Sequence, residues 1–327
     1  MITTIALAAL AWGAALLVIG SFAGLAWPGL RRRLAGQSPA RRYRAALAFA
    51  LAPLPLATAV LMLVLLPGLV GLAWAGADHC LHHADHVHLC LVHGLEIARL
   101  WIAVPVLLAL TWGGAAALVR HWKDAPAAKA LRALESVARP AGPSMSMCLV
   151  DGEAPLALTH GRWRPRTLVS RALARSLEPE EWEALVAHEQ AHVRRAEPFW
   201  RWLAQLGSTP LPPATRRAVL AELVLASEQI CDAEAARRTD PLAVARAILS
   251  VERLMAGAPA PAFSTVGIAD GGVGARIDTL LSPEAPGPPP SSSAAWALGA
   301  GLLALAGGLG SVLHHVAEHA LAHALGG

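Results

Sequence analysis

Leu185-Val186-Ala187-His188-Glu189-Gln190-Ala191-His192 is the stretch that decides how the chain is organised. Residues 188–192 form an HExxH pattern. Histidines four apart share one face of a helix, so both imidazoles can reach one metal ion. Glu189, beside the first histidine, is placed to take a proton from water that the metal activates. Upstream, Glu178-Pro179-Glu180-Glu181-Trp182-Glu183 reads as a helix start. Pro179 suits the first helical position, and the glutamates crowd the positive end of the helix dipole. Trp182, Leu185, Val186 and the following alanines supply an apolar stripe at helical spacing. The predicted helix therefore runs from Pro179 to Arg195.

A zinc site of this kind needs a third protein ligand and an open position for water. The segment from Ala214 to Arg238, preceded by Pro212-Pro213, reads as one long helix. Glu228 and Asp232 lie four apart on it and so share a face. Glu228 is expected to complete a His188, His192, Glu228 ligand set. Asp232 is expected to hydrogen-bond a ligand histidine from behind and fix its orientation. Glu222 and Glu234 read as ordinary solvated helix glutamates. Short strands are expected near Met145–Val150, Pro155–Thr159 and Arg166–Ser170, one of which would hold a peptide by strand addition. Cys148 and Cys231 read as core residues. His121 and His160 read as structural.

Composition places this domain in a membrane protein. The chain is 55% hydrophobic and 15% charged over 327 residues, with a mean hydropathy of +0.47. That is too apolar for an ordinary soluble protein. Four uncharged stretches, near 2–28, 45–77, 100–119 and 293–313, each approach or exceed the ~20 residues that cross a bilayer. Pro53, Pro55 and Pro67 predict a kink in the second. Arg31, Arg32, Arg33, Arg41, Arg42 and Arg44 follow the first span, and Arg120, Lys123, Lys129 and Arg132 follow the third. Between the second and third spans, the stretch from Asp78 to Ile97 has no Lys or Arg. The positive-inside rule then puts both termini outside and residues 120–290 in the cytoplasm. The arginines of the first loop read as topology determinants and lipid-headgroup contacts. Trp27, Trp74, Trp101, Trp122 and Trp296 fall where interfacial tryptophans are expected.

Three domains follow. Residues 1–119 hold three spans, an arginine-rich cytoplasmic loop and an outer loop at 78–97. Residues 120–290 form the peptidase domain. Residues 291–327 form a fourth span and an outer tail. The outer loop carries His79, Cys80, His82, His83, His86, His88, Cys90 and His93. Such density of imidazole and thiol reads as metal binding, of copper or zinc. Cys80 and Cys90, being outside, are alternatively a disulfide. In the tail, His315, His319 and His323 recur every four residues on one helical face. Both clusters fall on the same side of the membrane.

HEQAH followed by Glu228-Gln229-Ile230-Cys231-Asp232-Ala233 resembles the integral-membrane zinc metallopeptidases of the BlaR/MecR antirepressor type. These are gluzincins and share the glutamate-zincin pattern with HtpX-like membrane proteases. Their active-site helix reads HExxHxxRxD. Arg195 fits it, but Glu197 stands where aspartate is usual. Their second motif, ExxCD or ExxxD, is matched by Glu228, Cys231 and Asp232. Arg276-Ile277-Asp278-Thr279-Leu280 resembles their RIxxL segment. The resemblance implies His188, His192 and Glu228 as ligands of one catalytic Zn²⁺, and Glu189 as the base. The antibiotic-sensing members carry a penicillin-binding domain after the last span. This sequence ends about fourteen residues after it, so sensing by β-lactam acylation is not expected.

The expected fold is an α-helical membrane protein with four transmembrane helices and a mainly α (α+β) cytoplasmic gluzincin-like peptidase domain. The expected activity is zinc metalloendopeptidase, in the inner membrane of a bacterium. The expected role is a signalling peptidase responsive to copper or zinc. It would cleave a cytoplasmic repressor of the BlaI/CopY-like DNA-binding kind, or itself. Constitutive quality control of HtpX-like character and non-enzymatic metal binding are the alternatives. Expected partners are bilayer lipid, a protein substrate and a second copy in a homodimer, with no direct contact to nucleic acid. For the oxyanion, Arg237, Arg238 and Arg276 are the candidates, because the single tyrosine, Tyr43, lies far away in the first cytoplasmic loop.

Overall fold

The computed structural model describes residues 2–73, 129–131, 133–140, 147–256 and 272–282. It is mostly helical with one small sheet. The third and fourth expected spans, the histidine-rich loop, the histidine tail, His121 and the tryptophans at 74, 101, 122 and 296 lie outside the described residues. The chain divides into two compact units. One gathers Met1–Gly24, Ala52–Leu118 and Pro288–Gly327, and the other gathers Leu25–Leu51 and Val119–Gly287.

Helix α1 spans Ile2–Leu34 and runs through Pro28 into Arg31, Arg32 and Arg33, whose charges suit its carboxyl end. Its part Trp12–Leu34 is the helix among the described residues that is long and apolar enough by itself to cross a bilayer. Helix α2 (Pro39–Leu51) and helix α3 (Pro53–Ala73) follow. The chain breaks at Ala52, ahead of Pro53, as a residue preceding proline tends to. By length and composition, Pro39–Leu51 with Pro53–Leu63 counts as a second candidate, either a broken span or a re-entrant loop. In the first unit, Trp12 Nε1 donates to Thr58 Oγ1 at 3.2 Å and so ties α1 to α3.

The second unit is built on a four-stranded sheet of order β1-β2-β4-β3. Strand β1 is Arg139–Pro140, β2 is Met147–Val150, β3 is Ala157–His160 and β4 is Arg166–Ser170. β2 and β4 are parallel, while β3 and β4 form an antiparallel hairpin. Among the described residues, strand β3 is therefore an edge. Among the described residues, six helices follow: α4 (Arg171–Ser176), α5 (Pro179–Arg194), α6 (Glu197–Gly207), α7 (Pro213–Ala236), α8 (Pro241–Ala256) and α9 (Gly272–Leu281). Met147, Val169, Leu173, Leu177 and Leu185 form the core between sheet and α5. A second core of small residues, Ala184, Ala187, Ala235, Ala243, Val244 and Ala247, lets α5, α7 and α8 approach closely. Ile277 and Leu280 of α9 pack against it.

Helix α2 departs from expectation. It belongs to the second unit and packs on α7 and α6, with Tyr43, Ala46 and Ala50 buried. Contact is close enough to require Gly207, where an added Cβ would lie 2.8 Å from the Ala50 carbonyl oxygen. Trp27 is no interfacial anchor: it is buried and its ring lies 5.0 Å from that of Phe49. Nor is Arg42 a lipid contact. Its guanidinium lies 2.6 Å from Glu222 Oε1 and donates to Gln229 Oε1 at 2.9 Å. Glu222 is accordingly buried rather than solvated. Helical spacing alone could not reveal this, because the partner lies 180 residues away.

Removing one partner of a buried ion pair leaves the other charge uncompensated, which costs about 3–5 kcal/mol. Arg31 sits 3.9 Å from Glu222 and compensates only weakly. Arg42→Ala is therefore predicted to destabilise the full-length protein by about 3 kcal/mol, read as a lower thermal midpoint in detergent. An unchanged midpoint would show that α2 is not part of this unit in solution.

Candidate metal centre

Helix α5 starts at Pro179, and Glu181 reaches back to accept from the Glu178 N–H at 3.2 Å. It carries His188, Glu189 and His192, all buried. Helix α7 crosses it and brings Glu228 from the other side. The Nε2 atoms of His188 and His192 lie 3.0 Å apart. Glu228 Oε2 is 3.5 Å from His188 Nε2, and its Oε1 is 3.7 Å from His192 Nε2. A tetrahedral ion with bonds of ~2.0–2.1 Å sets neighbouring ligand atoms ~3.3–3.4 Å apart. The three groups thus fit a small metal ion, and the donor set of two imidazoles and one carboxylate suits a borderline ion such as zinc.

What stands behind the ligands supports the same arrangement. His188 Nδ1 is 2.9 Å from Asp232 Oδ1, and His192 Nδ1 is bonded to Glu197. With Nδ1 carrying the hydrogen toward a carboxylate, each ring turns a bare Nε2 to the ion. Asp232 is wholly buried. Arg276 of α9 grips it in a fork, Nε to Oδ2 at 2.8 Å and Nη2 to Oδ1 at 2.7 Å. Its Nη1 also lies 3.2 Å from Glu228 Oε2. So Arg276 sits at the site expected for it, but its guanidinium is committed to the Asp232 and Glu228 carboxylates rather than left for an oxyanion. Arg237 lies at the exposed end of α7, where its Nε donates to the Ala233 carbonyl. It is not brought into the centre.

Three participants were not recognised in the sequence. Glu197 appeared there only as a departure from aspartate. The residue before it, Ala196, adopts a left-handed conformation, φ 49° and ψ 40°, which costs a non-glycine residue about 1–2 kcal/mol. That turn ends α5 and starts α6 with Glu197 beside His192. Arg201, one turn on, holds the other Glu197 oxygen. The second is Thr159, on the edge strand. Its hydroxyl donates to Glu189 Oε2 at 2.6 Å and lies 2.7 Å from Thr167 Oγ1. A hydroxyl has one hydrogen, so Thr167 is the donor to Thr159. The third is Tyr43, which is not remote: the Arg195 guanidinium carbon lies 5.4 Å from the centre of its ring. Cys231 is a buried core residue, as expected, with Sγ 3.6 Å from His192 Nδ1.

Helix α7 carries a second face. Glu222 and Gln229, seven apart, face Arg42, and Gln229 stands ~100° around the axis from Glu228. The Gln229 amide donates to the Ala275 carbonyl at 2.9 Å and to Thr279 Oγ1 at 2.8 Å. Those residues flank Arg276, so hydrogen bonds connect α2, through α7 and α9, to the carboxylates behind the ligands.

Burial opposes every charge here, and the pairing outweighs it. In His188, burial disfavours the cation, but the bonds to Asp232 and Glu228 push its pKa up to about 10. His192 is likewise raised well above its usual value, against burial, by Cys231 and Glu197. Asp232 is buried and Glu228 partly buried, which opposes their charge too, yet Arg276 and His188 hold both carboxyls below the usual range. Glu197 is also lowered, against burial, by its bond to His192.

The chain matches no known protein-family model, and comparison with curated proteins and with solved structures gives no match.

Three predictions follow from this centre. A ligating imidazole must shed the proton that His188 and His192 hold in the metal-free protein. Zinc binding is therefore predicted to release protons at pH 7–8, seen by calorimetry in buffers of different ionisation heat. The raised histidine contributes stability below its usual pKa of 6.5, and that contribution is lost as pH rises toward about 10. The lowered carboxylates contribute above their usual range and lose it on acidification. The metal-free protein should thus lose stability as pH rises from 6.5 toward 10, and zinc should reverse that loss. Binding with no buffer-dependent heat would contradict this. Separately, Asp232→Asn and Glu197→Gln should each weaken zinc affinity about 10- to 100-fold by competition with a chelating dye. Wild-type affinity in both would remove them from the site.

Proposed function

We propose that this chain is a membrane-associated zinc metalloendopeptidase. The observation that carries the reading is the convergence of two imidazole Nε2 atoms and the Glu228 carboxylate beside Glu189, each ligand backed by a charged partner. His188, His192 and Glu228 would hold a zinc-type ion, which would supply a Lewis acid for a peptide carbonyl and for water. Glu189 acts as the general base and then the general acid. With Oε2 held by Thr159, its other oxygen takes a proton from the attacking water and passes it to the departing nitrogen. Strand β3 is the edge on which an extended peptide would lie, since its outer side pairs with no strand among the described residues. The Thr159–Glu189 bond fixes that strand to the base.

The signalling role rests on the resemblance to antirepressor peptidases, and its substrate is expected to be a small cytoplasmic DNA-binding repressor or the chain itself. Responsiveness to copper or zinc rests on the histidine clusters of residues 79–93 and 315–323. Membrane attachment is supported by the helix Trp12–Leu34.

Glu189→Gln is predicted to lower the cleavage rate by about 10²–10⁴-fold while leaving zinc content intact. The substrate is found by pulsing cells with copper or zinc and sequencing new protein amino-termini in wild type and variant. A Glu189-dependent terminus that forms without added metal would replace metal sensing with constitutive proteolysis. If no terminus depends on Glu189, the peptidase reading fails.

A further inference from the structure

Helix α6 buries Glu197, Ala204 and Gly207 on one side. Its other side is left open: Trp200 is 37% exposed and Leu206 49%. Phe199 is the hub of an aromatic cluster on this side. Its ring centre lies 5.2 Å from that of Trp163, 5.2 Å from Trp200 and 6.0 Å from Trp202. Trp163, at the turn between β3 and β4, is 76% exposed. Arg162 stacks on Trp202 with its guanidinium carbon 4.2 Å from the ring centre. Arg162 and Arg164 are both exposed and flank Trp163 in sequence. Two elements distant in sequence thus build one continuous surface of indoles and guanidinium groups.

We propose that this surface, centred on Arg162, Trp163, Arg164, Phe199 and Trp200, docks into the headgroup layer of an anionic bilayer. Indole suits that boundary because its body is apolar while its N–H stays hydrated. Guanidinium groups are drawn to anionic headgroups. A short helix with an apolar side and neighbouring arginines lies flat at such an interface. Position in the fold argues for lipid over a protein partner. Gly207, at the end of α6, lies against Ala50 and Leu51. Both lie in the uncharged stretch 45–77, which begins in α2 and continues through α3 (Pro53–Ala73). The end of the aromatic helix therefore abuts an uncharged part of the chain. The proposal does not depend on the peptidase reading.

The test uses the full-length protein reconstituted in phosphatidylcholine vesicles, with and without phosphatidylglycerol. Lipid brominated near the headgroup quenches tryptophans at the interface, and aqueous iodide quenches those in water. Two of the 11 tryptophans are replaced in Trp163→Phe/Trp200→Phe. Brominated-lipid quenching should fall by up to about a fifth in that variant, in anionic vesicles above all. Arg162→Glu/Arg164→Glu leaves the rings in place and should make Trp163 and Trp200 accessible to iodide. Circular dichroism and the thermal midpoint check that both variants fold. Equal iodide quenching of these tryptophans in both lipids would overturn the proposal. Protection from both quenchers would also overturn it, because a protein surface, such as a second copy, then covers the face.

Discussion

The centre depends on one constraint: several charges share a space from which water is largely removed. An isolated ion there would be expelled or neutralised. The chain meets this by alternation. Three acidic groups touch basic ones: Asp232 has His188 and Arg276, Glu228 has both histidines and Arg276, and Glu197 has His192 and Arg201, while Glu189 accepts from the Thr159 hydroxyl. Every one of these pairs is also a hydrogen bond or within reach of one. The set is therefore cooperative, and loss of any member exposes the others to the cost of burial.

That alternation explains why so many elements are needed. Helix α5 gives the two imidazoles and the base, while α7 gives a ligand and the carboxylate behind it. Helix α6 gives Glu197, α9 gives Arg276, and β3 gives the hydroxyl on Glu189. None of these segments could hold its charged residue buried by itself. The alanine-rich contact between α5, α7 and α8 permits the close crossing that lets Glu228 reach both histidines. The strained Ala196 turn belongs to the same economy of space, because it places Glu197 within reach of His192 five residues earlier.

Helix α2 ties this centre to the apolar amino-terminal part of the chain. Arg42 binds the face of α7 next to the one that carries the ligand, and Gln229 hands the connection on to α9. The helix that reads in sequence as the beginning of a span is, in the fold, part of the unit that holds the metal centre.

Much of the site was legible in the chain because it is local. The HExxH spacing puts His188 and His192 on one face, and the four-residue step from Glu228 to Asp232 does the same on α7. Pro179 and Pro213 mark where those helices begin, and three of the four strands fall in apolar runs between turn residues. Periodicity carries such information because a helix repeats every 3.6 residues whatever surrounds it. Partners were not legible where they depend on distant crossings. Glu222 read as a surface glutamate, Arg42 and Trp27 as membrane-edge residues and Tyr43 as remote, since nothing in local sequence says that α2 folds back onto α7. Arg276 and Thr159 likewise gain their roles from packing across 44 and 30 residues. Sequence determined which groups share a helical face. Only tertiary structure decided which opposite charge each buried group would meet, because that pairing is set by how faces pack and not by the order of residues.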